Sequence, residues 1–522
     1  MMKFYQNVTT QTPLICSLLG GMLYASGFPM IIGHSFFAGP ILGFFLFNYA
    51  LSNKEDSLKK QMLKATLFSF GFYLLGFYWI PYTLMEFGGL FFPLNHLLGF
   101  IFSLVIIPQI YIYTLIQRKY KNIIFLAISY VLLEEYIPQQ FPAHLGHSMI
   151  SLTPEIPLRL APFFGASVYS FLAVFIALTA LDHHKNKKIP FVSYGLTVVM
   201  ILFNFILPAP YKGPALSALN IRIVQPNIGN FLKIDSEKGG ANSLKNVFDN
   251  YIELSTAPSV DPLDLIIWPE TAFPTLIFSE MLKQNPDHLI EPTIKKVIEK
   301  TQSELFFGGY DFKPSKGFND LENQYNSAFH FGSDQKLKEV YHKMHLIPFG
   351  EGLPFGPLNS TLKNYITNIS YFAEGDKFVS FETKSGIPFI SVICYEILFS
   401  DFIRDFLNNQ KVAPQFLINL TNDSWYGDTA EPHQHLFLAK WRALEFNLPF
   451  VRSTNTGITT FIDQNGAESN RLTFQEKKYL DLKMKIFART DTPFQRFGLW
   501  PILGLALTFF VIKKRLKKLG FE

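Results

Sequence analysis

The sequence has little cysteine: Cys16 and Cys394 are the two cysteines among 522 residues. Cys16 lies in an apolar N-terminal stretch typical of a membrane-embedded helix, whereas Cys394 follows the apolar run 388–393, which is typical of a buried strand. The two thiols are therefore poor candidates for a disulfide. Cys394 is left as an unpaired thiol outside the membrane, where a reactive role competes with the commoner role of an inert core thiol.

Charge is also scarce, since Asp, Glu, Lys and Arg make up 17% of the residues. Hydrophobic residues make up 48%, aromatic residues make up 16%, and the mean hydropathy is +0.17. This composition is too apolar for a soluble protein of this length, so the sequence predicts a membrane protein. The formal net charge of +5 is concentrated in short loops and gives no reason to expect a nucleic-acid partner.

The sequence is rich instead in long apolar stretches. A membrane-spanning helix needs about 17 to 25 largely apolar residues. Such stretches recur at 12–29, 34–52, 63–83, 89–116, 122–137, 166–182, 189–208 and 496–512. The fifth is short and carries Glu134 and Glu135. We therefore predict a multi-span α-helical membrane domain with seven helices, followed by a large polar segment and an eighth helix.

Lysine and arginine collect in alternate loops, at 54–64, 118–121, 185–188 and 513–518. Loops rich in these residues favour the cytoplasmic side of a membrane. The intervening loops at 29–36 and 84–95 contain neither residue type. The alternation predicts that both termini lie in the cytoplasm and that the segment 209–495 faces outward, into the periplasm or an equivalent space.

The composition changes after the proline- and glycine-containing stretch 208–214. Strand-like runs follow at 221–224, 263–268, 305–307, 327–331, 389–394, 416–420, 450–453 and 458–462, and helical patterns at 242–255, 290–302, 398–409 and 433–447. This order predicts a layered α/β domain. We divide the chain into a membrane domain at 1–208, a linker at 209–219, an α/β domain at 220–490, and an eighth helix with a basic tail at 491–522.

Polar residues stand where three predicted strands end: Glu270, Lys343 and Cys394. Taken alone, Glu270 is more often a solvated turn residue or helix cap, and Lys343 is most often a surface charge. Together they indicate a site, because ligand and catalytic groups favour strand ends in α/β sheets. His433 and His435 do not predict a metal site, because the sequence offers no third ligand at a usable spacing.

Several motifs resemble those of the apolipoprotein N-acyltransferase family, a membrane branch of the nitrilase, or carbon-nitrogen hydrolase, superfamily. They lie at 224–227, 268–270, 325–327, 343–351, 394–396, 422–427, 432–435, 442–445 and 452–457. With seven predicted spans before the α/β domain and one after it, the similarity covers nearly the whole chain. The resemblance implies a nitrilase-like αββα sandwich.

The resemblance also implies catalytic roles for three residues: Cys394 as nucleophile, Glu270 as its base, and Lys343 as the group that stabilises the oxyanion. Tyr395 would add its backbone N–H to the oxyanion site. Glu351 would orient Lys343, and Glu396 would support the site. The resemblance implies no metal or other cofactor.

The implied reaction has two steps. Cys394 takes an acyl chain from a phospholipid as a thioester, and the N-terminal amine of the diacylglyceryl-cysteine of an apolipoprotein then accepts it as an amide. Both substrates are anchored in the bilayer, so membrane lipids are expected partners. The resemblance therefore implies a ping-pong acyltransferase of lipoprotein maturation, a multi-pass protein of the bacterial inner membrane with its catalytic domain in the periplasm.

Four apolar residues follow Glu270 in a predicted loop: Phe273, Leu276, Ile277 and Phe278. They are candidates for an acyl-chain entrance. Packing against the membrane domain is an equally good explanation.

Two other functions stay open. A membrane-anchored amidase or nitrilase would use the same three catalytic residues to hydrolyse a small periplasmic substrate, with water as acceptor. A transport or scaffolding protein would carry a catalytically dead domain, which the intact Glu, Lys and Cys argue against.

Overall fold

The structure is a computed structural model. It describes residues 2–30, 34–53, 55–86, 88–209, 212–285, 290–313, 324–364, 370–504, 507–508, 511 and 515. The side chains of residues 2–10 and 360 are not described. The predicted basic tail, 513–518, and part of the predicted eighth span, 496–512, lie outside the described residues.

The N-terminal part is helical. Its helices are α1 (Met2–Ala25), α2 (Gly39–Ala50), α3 (Leu58–Gly76), α4 (Ile80–Glu86), α5 (Leu94–Ser103), α6 (Gln109–Lys119), α7 (Ile123–Tyr136), α8 (Ala161–Phe164), α9 (Ser167–Asn186) and α10 (Phe191–Ile206). Helices α1, α2 and α3 pack closely: a Cβ on Gly21 would lie 1.9 Å from the carbonyl oxygen of Phe68, and one on Gly43 would lie 2.3 Å from that of Gly20. The glycines therefore let these helix backbones approach each other.

Two of the predicted spans are interrupted. The stretch 63–83 is divided between α3 and α4, which are bent by 63°, and Pro81 stands in the first turn of α4. The stretch 89–116 is divided between α5 and α6, and Pro108 immediately precedes α6. Proline disfavours a helical conformation in the residue before it and lacks a backbone donor, so it marks helix starts better than helix interiors.

By length and apolarity, one described helix, α9, is able to cross a bilayer, or two if the bent pair α3 and α4 forms one span. Helices α2, α5 and α10 are apolar but shorter. The number of eight spans therefore stays a prediction.

The C-terminal part contains the strands β1 (Ala215–Gln225), β2 (Leu265–Ile267), β3 (Phe273–Ile277), β4 (Glu304–Phe312), β5 (Gln324–Phe331), β6 (Leu337–His342), β7 (Phe381–Glu382), β8 (Pro388–Ile393), β9 (Phe416–Thr421), β10 (Phe450–Thr454), β11 (Thr459–Ile462), β12 (Glu468–Leu472) and β13 (Lys478–Phe487). One sheet has the order β13-β1-β2-β4-β5-β6, with β3 paired to β4. The other has the order β12-β11-β10-β9-β8-β7. All eight predicted strands are present.

Helices α11 (Asn230–Glu237), α12 (Ala241–Ser255), α13 (Ser279–Gln284), α14 (Pro292–Thr301), α15 (Asn359–Leu362), α16 (Ser400–Asn408), α17 (Glu431–Phe446) and α18 (Pro493–Phe497) complete this part. Alternate residues of a strand face opposite sides of its sheet. Ile221 and Ile223 of β1 accordingly join the core between the sheets, whereas Val224 joins the core beneath α12 and α14. The result is a layered αββα sandwich, the predicted fold of this domain.

The predicted loop after Glu270 is wrong, because residues 273–277 form strand β3. Phe273 pairs with Gly309 of β4, and its ring lies 5.0 Å from the ring of Phe248 and 5.7 Å from that of Phe307. Phe273 and Ile277 of this strand belong to the core beneath α12 and α14, which is called the outer core below. Pro274 within the segment lacks a backbone N–H, which weakens the strand pattern in the sequence.

Candidate active site

Cys394 stands at the point where β8 ends and a short 3₁₀ turn, Cys394–Leu398, begins. Its backbone has φ 51°, a left-handed conformation that side-chain-bearing residues rarely adopt. The side chain is buried, with 3% of the residue exposed. A strained turn of this kind is held by its surroundings and is common where a side chain must be presented to a site.

Lys343 follows β6 directly and is completely buried. Its ammonium nitrogen lies 2.8 Å from Glu351 Oε2 and 3.4 Å from Glu270 Oε1. Its backbone N–H donates to the carbonyl of Asn326 at 2.8 Å. The lysine is therefore fixed at both ends, by β5 through its backbone and by two carboxylates through its side chain.

Glu270 stands just after β2, close to β4. A Cβ added at Gly308 would lie 2.6 Å from Glu270 Cα, so a glycine is needed where β4 passes this carboxylate. The side-chain amide of Asn326 donates to Glu270 Oε1 at 2.8 Å and to Glu351 Oε1 at 3.0 Å. The two carboxylates share one amide and one ammonium group.

Asn326 had no predicted role, although the sequence motif 325–327 contains it. An asparagine in a strand gives no signal of its own. Its function follows only from its position between two carboxylates that are distant in sequence.

Burial and the neighbouring charges shift the pKa values of three groups in the site. Burial lowers the pKa of Lys343, but the carboxylates of Glu351 and Glu270 outweigh this effect and raise it, so the ammonium stays charged. Burial raises the pKa of Glu270, and Lys343 limits the rise. Burial also raises the pKa of the Cys394 thiol, and Glu270 adds to the rise while Lys343 opposes it. The resting state is a neutral thiol near a carboxylate of increased basicity.

Glu396 connects the turn at Cys394 to the segment after Lys343. Its Oε2 accepts a hydrogen bond from the backbone N–H of Ile393 at 2.7 Å. Its Oε1 accepts from the backbone N–H groups of Met344 at 2.7 Å and His345 at 3.1 Å, and from the Tyr341 hydroxyl at 2.8 Å. Burial raises the pKa of Glu396 to about 7. The carboxylate therefore links the ends of β6 and β8, which belong to different sheets.

The side chain of Tyr395 faces the helical part. Its hydroxyl donates to the carbonyl of Gln140, and its ring lies 6.1 Å from that of Phe141 and 4.7 Å from that of Phe399. This packing leaves the backbone N–H as the group of Tyr395 suited to the proposed oxyanion site.

The four apolar residues after Glu270 have different environments. Phe273 and Ile277 are buried in the outer core, Phe278 is half-buried against Phe312 at 5.8 Å between ring centroids, and Leu276 is 42% exposed. Phe273 and Ile277 therefore pack the domain. A role in lining an acyl-chain entrance stays a prediction for Leu276 and Phe278.

Replacing Glu270 with Gln should lower the pKa of Cys394, because the substitution removes a negative charge that disfavours the thiolate while Lys343 remains. The measurement is the pH dependence of alkylation of the purified protein by iodoacetamide, followed by intact mass. We expect the curve to move to lower pH. Glu339→Gln, which changes an exposed carboxylate on β6, is the matched control and should leave the curve at the wild-type pH. A Glu270→Gln curve at the wild-type pH or at higher pH would contradict the proposed electrostatics.

Replacing Glu396 with Gln should destabilise the protein by about 1 to 3 kcal/mol, because an amide NH₂ group would face backbone N–H donors that now have an acceptor. It should also slow acylation of Cys394 by displacing the two segments that Glu396 joins. Thermal unfolding and the acylation rate measure the two effects. The exposed Glu382→Gln is the control, and a Glu396→Gln protein equal to it in both respects would show that the link is dispensable.

Family comparisons agree with both parts of the fold. The family model for carbon-nitrogen hydrolase matches residues 220–484, and the model for the apolipoprotein N-acyltransferase N-terminal domain matches residues 20–179. Apolipoprotein N-acyltransferase of Rickettsia prowazekii is 27% identical over 78% of each chain. That of Haemophilus influenzae is 28% identical over 83% of this chain and 82% of its own.

An amidase of known structure from Nesterenkonia sp. is similar at 13% identity, over 52% of this chain and 93% of its own. Its TM-score is 0.35, which is too low to support an inference. The match at 220–484 covers more than half of the 522 residues. The chain belongs to the carbon-nitrogen hydrolase family.

Proposed function

We propose that this chain is an apolipoprotein N-acyltransferase. It moves an acyl chain from a phospholipid, through a thioester on Cys394, to the N-terminal amine of the diacylglyceryl-cysteine of an apolipoprotein. The observation that carries the proposal is the match at 20–179, because it extends the similarity beyond the hydrolase domain to the helical part. Curated relatives with this name are similar across both parts.

In the first step, Glu270 accepts the proton of the Cys394 thiol as Sγ attacks the ester carbonyl carbon of the phospholipid. The electron pair of the carbonyl bond moves to its oxygen. The ammonium of Lys343 and the backbone N–H of Tyr395 stabilise this oxyanion. The ester C–O bond then breaks, Glu270 returns the proton to the leaving oxygen, and the products are a lysophospholipid and the thioester.

In the second step, the neutral amine of the apolipoprotein attacks the thioester carbonyl. Such an α-amine has a pKa of about 7.7 to 8.0, so a useful fraction is nucleophilic near neutral pH. Glu270 accepts the proton that the amine loses on bond formation. The C–S bond breaks, Glu270 reprotonates the sulfur, and the amide is released.

The contacts between the two parts support a site for membrane-anchored substrates. Gln434 of α17 donates to the carbonyls of Pro29 at 2.9 Å and Gly76 at 2.8 Å, and accepts from the indole of Trp79 at 3.2 Å. The Trp79 ring also lies 5.5 Å from that of Tyr426. The helical part therefore packs beside the segments that surround Cys394, where acyl chains held in a bilayer would have a short path to the thiol.

The membrane arrangement belongs to the same proposal. The alternating basic loops favour a multi-pass protein of the inner membrane with the catalytic domain in the periplasm. Apolipoprotein and phospholipid would then approach on the outer face of that membrane.

The amidase alternative differs in its acceptor. A hydrolase passes the acyl group to water and needs no amine. The catalytically dead alternative requires that Cys394 form no acyl adduct. The match at 20–179 favours the acyltransferase over both.

Purified enzyme with phospholipid and a peptide bearing an N-terminal diacylglyceryl-cysteine should yield the N-acylated peptide and lysophospholipid in equal amounts. An acceptor with an acetylated amine is the control and should give no acylated peptide. Mass spectrometry of peptide and lipid measures both products. Sustained lysophospholipid release with the blocked acceptor would support the hydrolase instead.

Cys394→Ala and Cys394→Ser should abolish this transfer, because alanine has no nucleophile and the serine hydroxyl has too high a pKa for a carboxylate base. Cys16→Ala, which changes the other thiol, should retain nearly wild-type turnover in the same assay. Turnover by Cys394→Ala close to wild type would refute the thioester route.

Single cysteines in a background without Cys16 and Cys394 test the topology. A cysteine at Ser57, within the first basic loop at 54–64, should be shielded from an impermeant thiol reagent in spheroplasts whose inner membrane is intact. A cysteine at Val260, which is fully exposed in the α/β domain, should be labelled. The inverse pattern would place the catalytic domain in the cytoplasm.

A further inference from the structure

A buried histidine lies behind the turn at Cys394. His435 stands on α17 and is 3% exposed. Its Nε2 is 3.3 Å from the carbonyl oxygen of Cys394, and the side-chain amide of Asn419 is 3.4 Å from the same oxygen. Two side chains thus lie within hydrogen-bond reach of one carbonyl.

That carbonyl belongs to the peptide whose N–H is on Tyr395. A trans peptide is planar, and its C=O and N–H point in opposite directions. Donors that fix the Cys394 carbonyl therefore fix the direction of the Tyr395 N–H as well. They also help to hold the left-handed conformation of Cys394, which is unfavourable without support.

Further buried groups surround the histidine. Asp423 Oδ1 lies 3.4 Å from His435 Nδ1. Arg452 donates to Asp423 Oδ2 at 3.0 Å and to Asn419 Oδ1 at 2.8 Å. A Cβ on Gly457 would lie 2.0 Å from Asp423 Oδ2, so the chain leaves room for this carboxylate. Hydrogen bonds connect Arg452 through Asn419 to the same carbonyl, and Arg452 also binds the Asp423 carboxylate beside the ring.

The chemistry of the contacts assigns the tautomer of His435. A carbonyl oxygen only accepts, so Nε2 must carry a proton. Burial and the guanidinium of Arg452 lower the pKa of His435, which favours a neutral ring with its proton on Nε2. Nδ1 is then unprotonated and makes no hydrogen bond with the Asp423 carboxylate. Burial and Asp423 raise the pKa of Glu431, whose Oε1 is 3.9 Å from Nδ1.

The same cluster could be considered a cation site, since single ligand atoms of Asp423, Glu431 and His435 lie within 4.8 Å of one another. Arg452 already supplies a positive charge to Asp423, however. The contact between His435 and the Cys394 carbonyl also has no place in a metal site. These observations favour a role in positioning.

We propose that His435 is a positioning residue that, together with Asn419, holds the Cys394 carbonyl and thereby directs the Tyr395 N–H toward the oxyanion. It touches neither the thiol's proton nor the substrate. The inference rests on the proposed nucleophile Cys394, but it applies to acylation by any ester.

Two reagents distinguish a loss of oxyanion positioning from a general loss of structure. Acylation by p-nitrophenyl butyrate passes through an oxyanion, whereas alkylation by iodoacetamide displaces iodide and forms none. His435→Leu should slow the acylation burst by at least about 10-fold. Removal of an oxyanion donor lowers the rate about 100- to 1000-fold, and a Tyr395 N–H that is only misdirected is a partial loss of that donor. Its alkylation rate should stay within about 2-fold of wild type, because the thiol and its charged neighbours are unchanged.

Further variants give the matched controls. His435→Gln retains an N–H donor of similar reach and should recover much of the acylation rate, whereas the shorter His435→Asn should not. These polar variants keep the test available if His435→Leu does not fold. His433→Leu, two residues away on the same helix, should match wild type with both reagents.

Equal losses with both reagents in His435→Leu and His435→Asn would assign His435 to general structure and overturn the proposal. Unchanged acylation in the two variants would overturn it as well. Failure of the proposed function has a different signature: wild-type protein would react with p-nitrophenyl butyrate but form no adduct with phospholipid.

Discussion

The buried ammonium group of Lys343 is the interaction on which the site depends. An ammonium removed from water without partners costs several kcal/mol, so its carboxylates must be in place when the domain folds. Glu351 and Glu270 supply them at 2.8 and 3.4 Å, and Asn326 donates to both. Glu270 follows β2, Asn326 lies in β5 and Lys343 follows β6, so satisfying one charge fixes the relative positions of these three strands.

The second constraint is that Cys394 belongs to the other sheet. Lys343 follows β6 of the first sheet and Cys394 follows β8 of the second. Glu396 bridges them with backbone hydrogen bonds from Ile393 and Met344, both at 2.7 Å. The packing of the two sheets is therefore part of the site, because the proposed nucleophile and the proposed oxyanion cation follow strands of different sheets. The helical part packs against the side chain of Tyr395, and we expect this side of the site to face lipid.

Much of the α/β domain could be predicted from sequence, because its strands are short apolar runs and its helices are amphipathic. Strand β3 could not, since Pro274 interrupts its pattern and its burial depends on Phe248 and Phe307, which are distant in sequence. Strand β13 alternates apolar and charged residues, and its many charges hide the strand pattern in the sequence. The interruptions of two predicted spans have a local signal in Pro81 and Pro108, but apolar composition alone does not reveal them.

The residues of the site also fall into two groups, those that sequence identifies and those that it does not. Glu270, Lys343 and Cys394 stand at strand ends within recognisable motifs, so sequence identifies them as candidates. The parts played by Asn326 and His435 depend on distances across the sandwich, which no spacing along the chain encodes.

The central claim is that the paired charges around Cys394 allow it to take an acyl chain from phospholipid. Intact-mass spectrometry of the purified full-length protein, incubated with a phospholipid of defined chains and no acceptor, tests it most directly. The account predicts a mass increase of one acyl chain, located on Cys394 by peptide mapping and removed by hydroxylamine. A protein that gains no acyl chain, or gains it on another residue, would contradict the account.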